Sequence, residues 1–188
     1  MPAPITAEQS RLDRVALLDA AEALFYERGV QAVGMDAVRA ASGLPLKRIY
    51  GFFATKEELV VAVLNRRDLR WRGSLAARVE QVTDPRERVL TLFDWLAEWF
   101  AEPGFRGCAW INAYGEFGPA SEAVLAEVRA HKRAFHDQIA GWVQAAGLSA
   151  AAPVALLAEG AIVTAAITGD PAPARQARAA VATLLGTA

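Results

Sequence analysis

Lys47 and Arg48 stand side by side in the segment PLKRIY, flanked by Leu46 and Tyr50. A guanidinium can pair bidentately with the major-groove edge of guanine, and a lysine ammonium can meet a base edge or a phosphate. Arg39 and Lys56 lie to either side. A tyrosine hydroxyl at Tyr50, the ammonium of Lys56 and a backbone N–H at Gly34 suit phosphate oxygens, which position a protein on a duplex without specifying its sequence. The chemistry open to this group is therefore recognition of double-stranded DNA rather than the making or breaking of bonds.

Such contacts need a rigid mount. Met35 to Phe53, MDAVRAASGLPLKRIYGFF, reads as two short helices meeting at Gly43. Glycine can take φ > 0 at little cost and end the first helix, while Pro45 fixes φ at the opening of the second. Val38, Leu44, Ile49 and Phe52 then fall where crossing helices bury side chains against each other. Leu46, Lys47, Arg48 and Tyr50 sit toward the N-terminal part of the second helix, the end that a recognition helix puts into the major groove. Ahead of this unit, capping-box-like spacing at Ser10–Asp13 opens a helix with an apolar stripe of Val15, Leu18, Ala21 and Phe25 that closes at Gly29. Residues 1–9 read as a loose arm. Behind it, Thr55-Lys-Glu-Glu58 is a capping box followed by Leu59, Val60, Val63 and Leu64, and the helix it opens should run to about Val82, roughly 40 Å at ~1.5 Å per residue.

The run from Leu12 to Leu64 resembles the DNA-binding domain of the TetR family of transcriptional repressors. The carriers are LLDAAEALFYERG, then VRAASGL, then RIYGFFATKEELVVAVL, which parallels the family's LYxHFxxKEEL signature. The resemblance implies an all-α protein: a helix-turn-helix domain over residues 1–54, a connecting helix over 55–82, and a ligand-binding and dimerisation domain over 83–188. It also implies a homodimer on a DNA operator, released by a small-molecule inducer, because two recognition helices about 34 Å apart read a pseudo-palindrome far better than one.

Composition is compatible with that expectation. The chain has 188 residues and a formal net charge of −1, which is poor for a DNA binder. The distribution is better: residues 1–78 carry twelve Lys/Arg against nine Asp/Glu, and residues 79–188 carry eight against twelve. Period-two alternation of β-branched residues is scarce, so the expected class is all-α. One cysteine, Cys108, excludes an intrachain disulfide and fits a reducing compartment, and its apolar surroundings suggest a buried thiol. Met1–Glu8 lacks the features of a signal peptide, and no apolar stretch is expected to reach the ~18 residues needed to cross a membrane. The expected location is cytoplasmic, with no membrane partner.

The rest of the chain divides into further helices. Asp84-Pro85 starts one that is apolar around most of its circumference, and Glu102-Pro103-Gly104 stops it. A short helix over Phe105–Phe117 and a long one ending near Gly147 follow, then Pro153 to about Thr168 and Pro173 to about Leu185. The family resemblance implies a ligand pocket among the middle helices, with Phe93, Trp95, Trp99, Trp110, Asn112, Tyr114 and Phe117 as candidate lining and Glu116 as a further polar group. It implies a dimer interface through Leu157, Ala161, Thr164, Ala177, Val181 and Leu184 on the last two helices. Two other classes compete: a helical protein–protein adaptor without DNA binding, and a small helical enzyme. For the enzyme, His131, His136, Glu127 and Asp137 form the sole candidate cluster, but His136 follows His131 by five residues and points elsewhere on a helix. HExxH, a phosphate-cradling glycine loop and GxSxG are all missing from the sequence, so neither a metal nor a cofactor is expected.

Overall fold

The computed structural model describes residues 6–186, and every regular element among them is helical. In chain order these are α1 (Ala7–Arg28), α2 (Met35–Ser42), α3 (Leu46–Phe52), α4 (Lys56–Glu80), α5 (Pro85–Phe100), α6 (Ala109–Phe117), α7 (Glu122–Ala145), α8 (Ala151–Thr168) and α9 (Ala172–Leu184), with a 3-10 turn at Gly118–Ala120. They form two compact units. One contains the residues up to Arg67 together with Asn112–Val128; the other contains Asp68–Ile111 together with the residues from Arg129 on.

In the first unit, α1 begins earlier than the Ser10 spacing suggests. Thr6 is its N-cap, its hydroxyl accepting the Gln9 N–H at 3.1 Å, so part of the expected loose arm is the first turn of a helix. Residues 1–5 of that arm lie outside the described residues. Leu17, Leu18, Ala21 and Phe25 of α1 are buried with Val33, Val38 and Ile49, and α1 packs on α2 and α2 on α3. Leu44 and Phe52, by contrast, are only half-buried. The α4 start is a reciprocal cap, with Thr55 accepting the Glu58 N–H at 3.1 Å and Glu58 accepting the Ala54 N–H at 2.7 Å. Farther along, Arg66 pairs with Asp19 and Glu22, and Arg67 pairs with Glu22 while lying 4.0 Å over the Tyr26 ring. These contacts lock α4 to α1.

In the second unit, Asp84 caps α5 by accepting the Arg86 and Glu87 N–H groups at 2.9 Å each. Buried residues run almost all round α5, from Val89 to Phe100, because it packs on both α8 and α9, which also pack on each other. α6 starts at Ala109 rather than Phe105, since the chain turns through positive φ at Gly104 and Gly107. Gly107 is required for a second reason: a Cβ there would stand 2.8 Å from the Ala166 Cβ. α8 overturns one expectation. Its 18 residues have mean hydropathy 1.7, enough by length and composition to cross a membrane, and a third of them are buried within the unit. The sequence hides this because Glu159 and Gly160 interrupt the run of larger apolar residues.

Candidate nucleic-acid interface

The turn between α2 and α3 follows from two residues. Gly43 adopts the left-handed conformation, φ 70, and its N–H closes α2 on the Arg39 carbonyl at 3.1 Å. Pro45 then sits as the N-cap of α3, and its carbonyl accepts the Arg48 and Ile49 N–H groups. Ile49 is fully buried, which fixes the rotation of α3 and leaves Lys47 and Tyr50 exposed and Leu46 half-buried. Gly34, exposed, is the N-cap of α2 without a side-chain bond, so the cap leaves its first N–H groups without an intrahelical acceptor. Arg39 is exposed on α2 and pairs with Asp36 at 3.2 Å.

Two of the expected DNA contacts are placed differently. Arg48 turns back toward α1, where its Nε donates to Asp13 Oδ2 at 3.0 Å and its guanidinium lies 4.4 Å over the Phe52 ring. Only 22% of its side chain and 13% of that of Asp13 is exposed. Lys56 donates its Nζ to the Val30 carbonyl at 2.6 Å, and burial, opposed by the charge of Glu116, lowers its pKa from the ordinary lysine value. Both cations hold backbone and side chains in place inside the unit.

Glu116 of α6 acts on the same turn. Its carboxylate accepts the Val30 N–H at 2.9 Å and the Gln31 N–H at 2.6 Å, while Gly29 bends at φ 83 beneath it. A Cβ at Gly29 would come within 3.2 Å of that carboxylate. Nearby, the Ser121 hydroxyl donates to Glu57 and accepts the Val124 N–H, capping α7. Glu116, expected among the ligand-facing polar groups, is thus a clamp on the α1–α2 turn.

The profile of the bacterial regulatory proteins of the tetR family matches residues 17–63, the stretch that contains this whole turn. A TetR-family transcriptional regulator from Streptomyces coelicolor superposes with a TM-score of 0.84 at 26% identity, covering 92% of this chain and 94% of that one. Residues 17–63 thus match the DNA-binding domain of the tetR family, and the whole chain shares the fold of TetR-family regulators. A second TetR regulator, from Chloroflexus aurantiacus, shares the fold with a TM-score of 0.84 at 22% identity, over 95% of this chain and 96% of that one. Among curated proteins, an uncharacterized HTH-type transcriptional regulator of Mycobacterium tuberculosis is 30% identical over 86 residues, 46% of this chain and 43% of its own length. The chain thus spans less than half the length of that relative.

The candidate ligand residues divide between the two units. Phe93, Trp95, Trp99 and Trp110 belong to the second unit, and Asn112, Tyr114 and Phe117 to the first. Phe93, Trp99 and Trp110 are buried, whereas Asn112 and Tyr114 are exposed. Around Trp71 of α4 the rings of Trp95, Trp99, His131 and Phe135 meet edge to face at 5.1 to 5.7 Å, and Trp110 stacks on His131 at 3.5 Å. Sequence reading missed Trp71 and Asp68. A signal was present: Leu64, Asp68, Trp71, Leu75 and Val79 share one buried helical stripe, and a carboxylate in such a stripe calls for a partner.

That partner is His131. Its Nδ1 lies 2.6 Å from Asp68 Oδ1, and Arg72 also pairs with Asp68. Burial disfavours the charged forms of both groups. For His131 burial wins over the hydrogen bond to Asp68, and the pKa falls to about 4. For Asp68 the hydrogen bonds from Arg72 and His131 outweigh burial, and the carboxyl lies below its ordinary value. At pH 7 a neutral His131 therefore donates Nδ1–H to an ionised Asp68. His136, by contrast, is exposed and lies 3.3 Å from Glu159, which pairs with Lys132. The Cys108 thiol is buried 3.6 Å from the Lys132 ammonium, and burial pushes its pKa up.

Four of the six candidate dimer residues come together, while Val181 is taken up by the core of the unit. Leu157, Ala161, Thr164 and Ala177 line a shallow groove of about 260 Å³ between α8 and α9, together with Leu156, Gly160, Pro173 and Gln176. Val181 is buried and Leu184 is exposed on the next turns of α9.

Proposed function

We propose that this chain is a homodimeric, sequence-specific DNA-binding regulator of transcription in the cytoplasm, a repressor released from a pseudo-palindromic operator by a hydrophobic or aromatic small molecule. The observation that carries the reading is the presentation of α3: Gly43 and Pro45 set its start, buried Ile49 sets its rotation, and Lys47 and Tyr50 face outward. Leu46 and Lys47 are assigned to the major groove, where the Lys47 ammonium also neutralises a phosphate at the groove edge, and Tyr50, Arg39 and the Gly34 end of α2 are assigned to phosphates. Release requires a ligand that binds the non-binding geometry more tightly than the other, since equal affinity for both shifts nothing. The aromatic rings around Trp71 favour an apolar or planar ligand.

Two supports favour a second copy of the chain as partner. α8 carries exposed apolar side chains, Leu156 at 70%, which lines the groove, and Ile167 at 80%, a pattern that marks an interaction surface. Small residues, Gly160 and Ala161, lie beside them and permit close helix approach. The test is fluorescence anisotropy with duplex from the DNA flanking the gene, at two salt concentrations. Wild type should bind specifically and weaken steeply with salt, and Lys47→Ala should lower the slope of log K against log salt by about 0.9, the loss of one phosphate contact. Equal, weak binding of every duplex, by a chain that binds a protein partner instead, would favour an adaptor.

A further inference from the structure

Arg48 lies on the helix assigned to the major groove, and its guanidinium faces the other way. Its Nε donates to Asp13 Oδ2 at 3.0 Å, and Asp13 Oδ1 accepts the Gln9 amide at 2.7 Å, so both oxygens of a largely buried carboxylate are engaged. The guanidinium covers the Phe52 ring at 4.4 Å, and its Nη2 is buried without a hydrogen-bond partner among the described residues. One position further along α1, Arg14 lies 5.4 Å over the Phe53 ring, just past the C-terminal end of α3. Turning Arg48 out to a base edge would strand Asp13 as a buried, unpaired charge beside an uncovered ring, a steep penalty.

We infer that Asp13 and Arg48 form a positioning pair that sets the angle of α3 against α1, so that Arg48 determines operator specificity by orienting Lys47 and Tyr50 rather than by touching DNA. The inference rests on the DNA-binding reading above. Lysine cannot serve at this position: a guanidinium is planar and lies flat on a ring while its Nε stays directed at the carboxylate, whereas an ammonium is a compact point charge.

The experiment uses the full chain and the duplex that wild type enriches from a random-sequence pool, with a scrambled duplex as reference. Affinities of wild type, Arg48→Ala, Arg48→Lys, Asp13→Asn, the Asp13→Asn/Arg48→Ala double variant and Lys47→Ala are measured across a salt series, below each variant's melting temperature. Arg48→Ala and Asp13→Asn should each reduce the preference for the selected duplex by about tenfold, and the double variant should be no worse than either, as coupled residues behave. Their salt slopes and their affinity for scrambled duplex should match wild type, while the slope for Lys47→Ala falls. Arg48→Lys should keep the charge and still lose the preference. The inference is overturned if Arg48→Ala lowers the salt slope as Lys47→Ala does, if Arg48→Lys restores the preference, or if Asp13→Asn leaves it unchanged. It is overturned equally if folded variants keep wild-type preference and lose only thermal stability. Failure of wild type to enrich any duplex would instead defeat the DNA-binding reading itself.

Discussion

A neutral histidine buried on an ionised aspartate makes a pH-sensitive contribution to stability. His131 has a folded pKa of about 4 against an ordinary value of 6.5, so below pH 6.5 the unfolded chain takes up a proton that the folded chain resists. The contribution is fully present above pH 6.5 and is lost as pH falls toward 4, by about 3 kcal/mol in all at 1.36 kcal/mol per pKa unit. Asp68, held below its ordinary value, adds a second loss only at lower pH, as it becomes protonated. Urea denaturation at pH 7.5 and pH 5 should show this decline in wild type and a flatter profile in His131→Gln. Equal declines in both would place the titration elsewhere.

At the scale of elements, the turn between α1 and α2 is held by a carboxylate far along the chain. Glu116 of α6 accepts two backbone N–H groups there, and Lys56 of α4 donates to the carbonyl of Val30 between them. Charge-assisted bonds of this kind are stronger than neutral ones. Glu116→Gln should destabilise the first unit by about 1–2 kcal/mol, since an amide offers a weaker acceptor and brings a donor where two N–H groups already point. Hydrogen exchange should then accelerate at the Val30 and Gln31 amides while the Ile49 amide of α3 keeps its protection. If those two amides exchange as slowly as before, water or another acceptor fills the role.

For the molecule as a whole, α8 carries a prediction about assembly. Leu156 and Ile167 are so exposed that glutamate at both positions leaves the buried residues of the second unit untouched. The Leu156→Glu/Ile167→Glu variant should keep its helical circular dichroism and melt near wild type, yet sediment as a monomer and lose high-affinity operator binding. A variant that remains dimeric would place the interface away from α8. The apolar length of this helix fits that proposal: a helix covered on one side by α5 and α9, and on the other by the proposed partner copy, has little surface left for charge.

Local rules in the sequence determined a good deal. Gly43 and Pro45 dictated the turn, Thr55 and Glu58 the start of α4, Asp84 that of α5, and helical periodicity the burial of Phe25, Val38 and Ile49. All of these act within a few residues along the chain, so type and spacing suffice. What each charge does was decided only by tertiary structure. Lys47 and Arg48 are neighbours of like charge, yet one faces outward and the other meets Asp13 on a different helix. Asp68 finds His131, and Glu116 finds Val30 and Gln31, across 63, 86 and 85 positions of chain. A buried charge must find a partner, and which residue supplies it depends on the packing of whole helices, which no local pattern records.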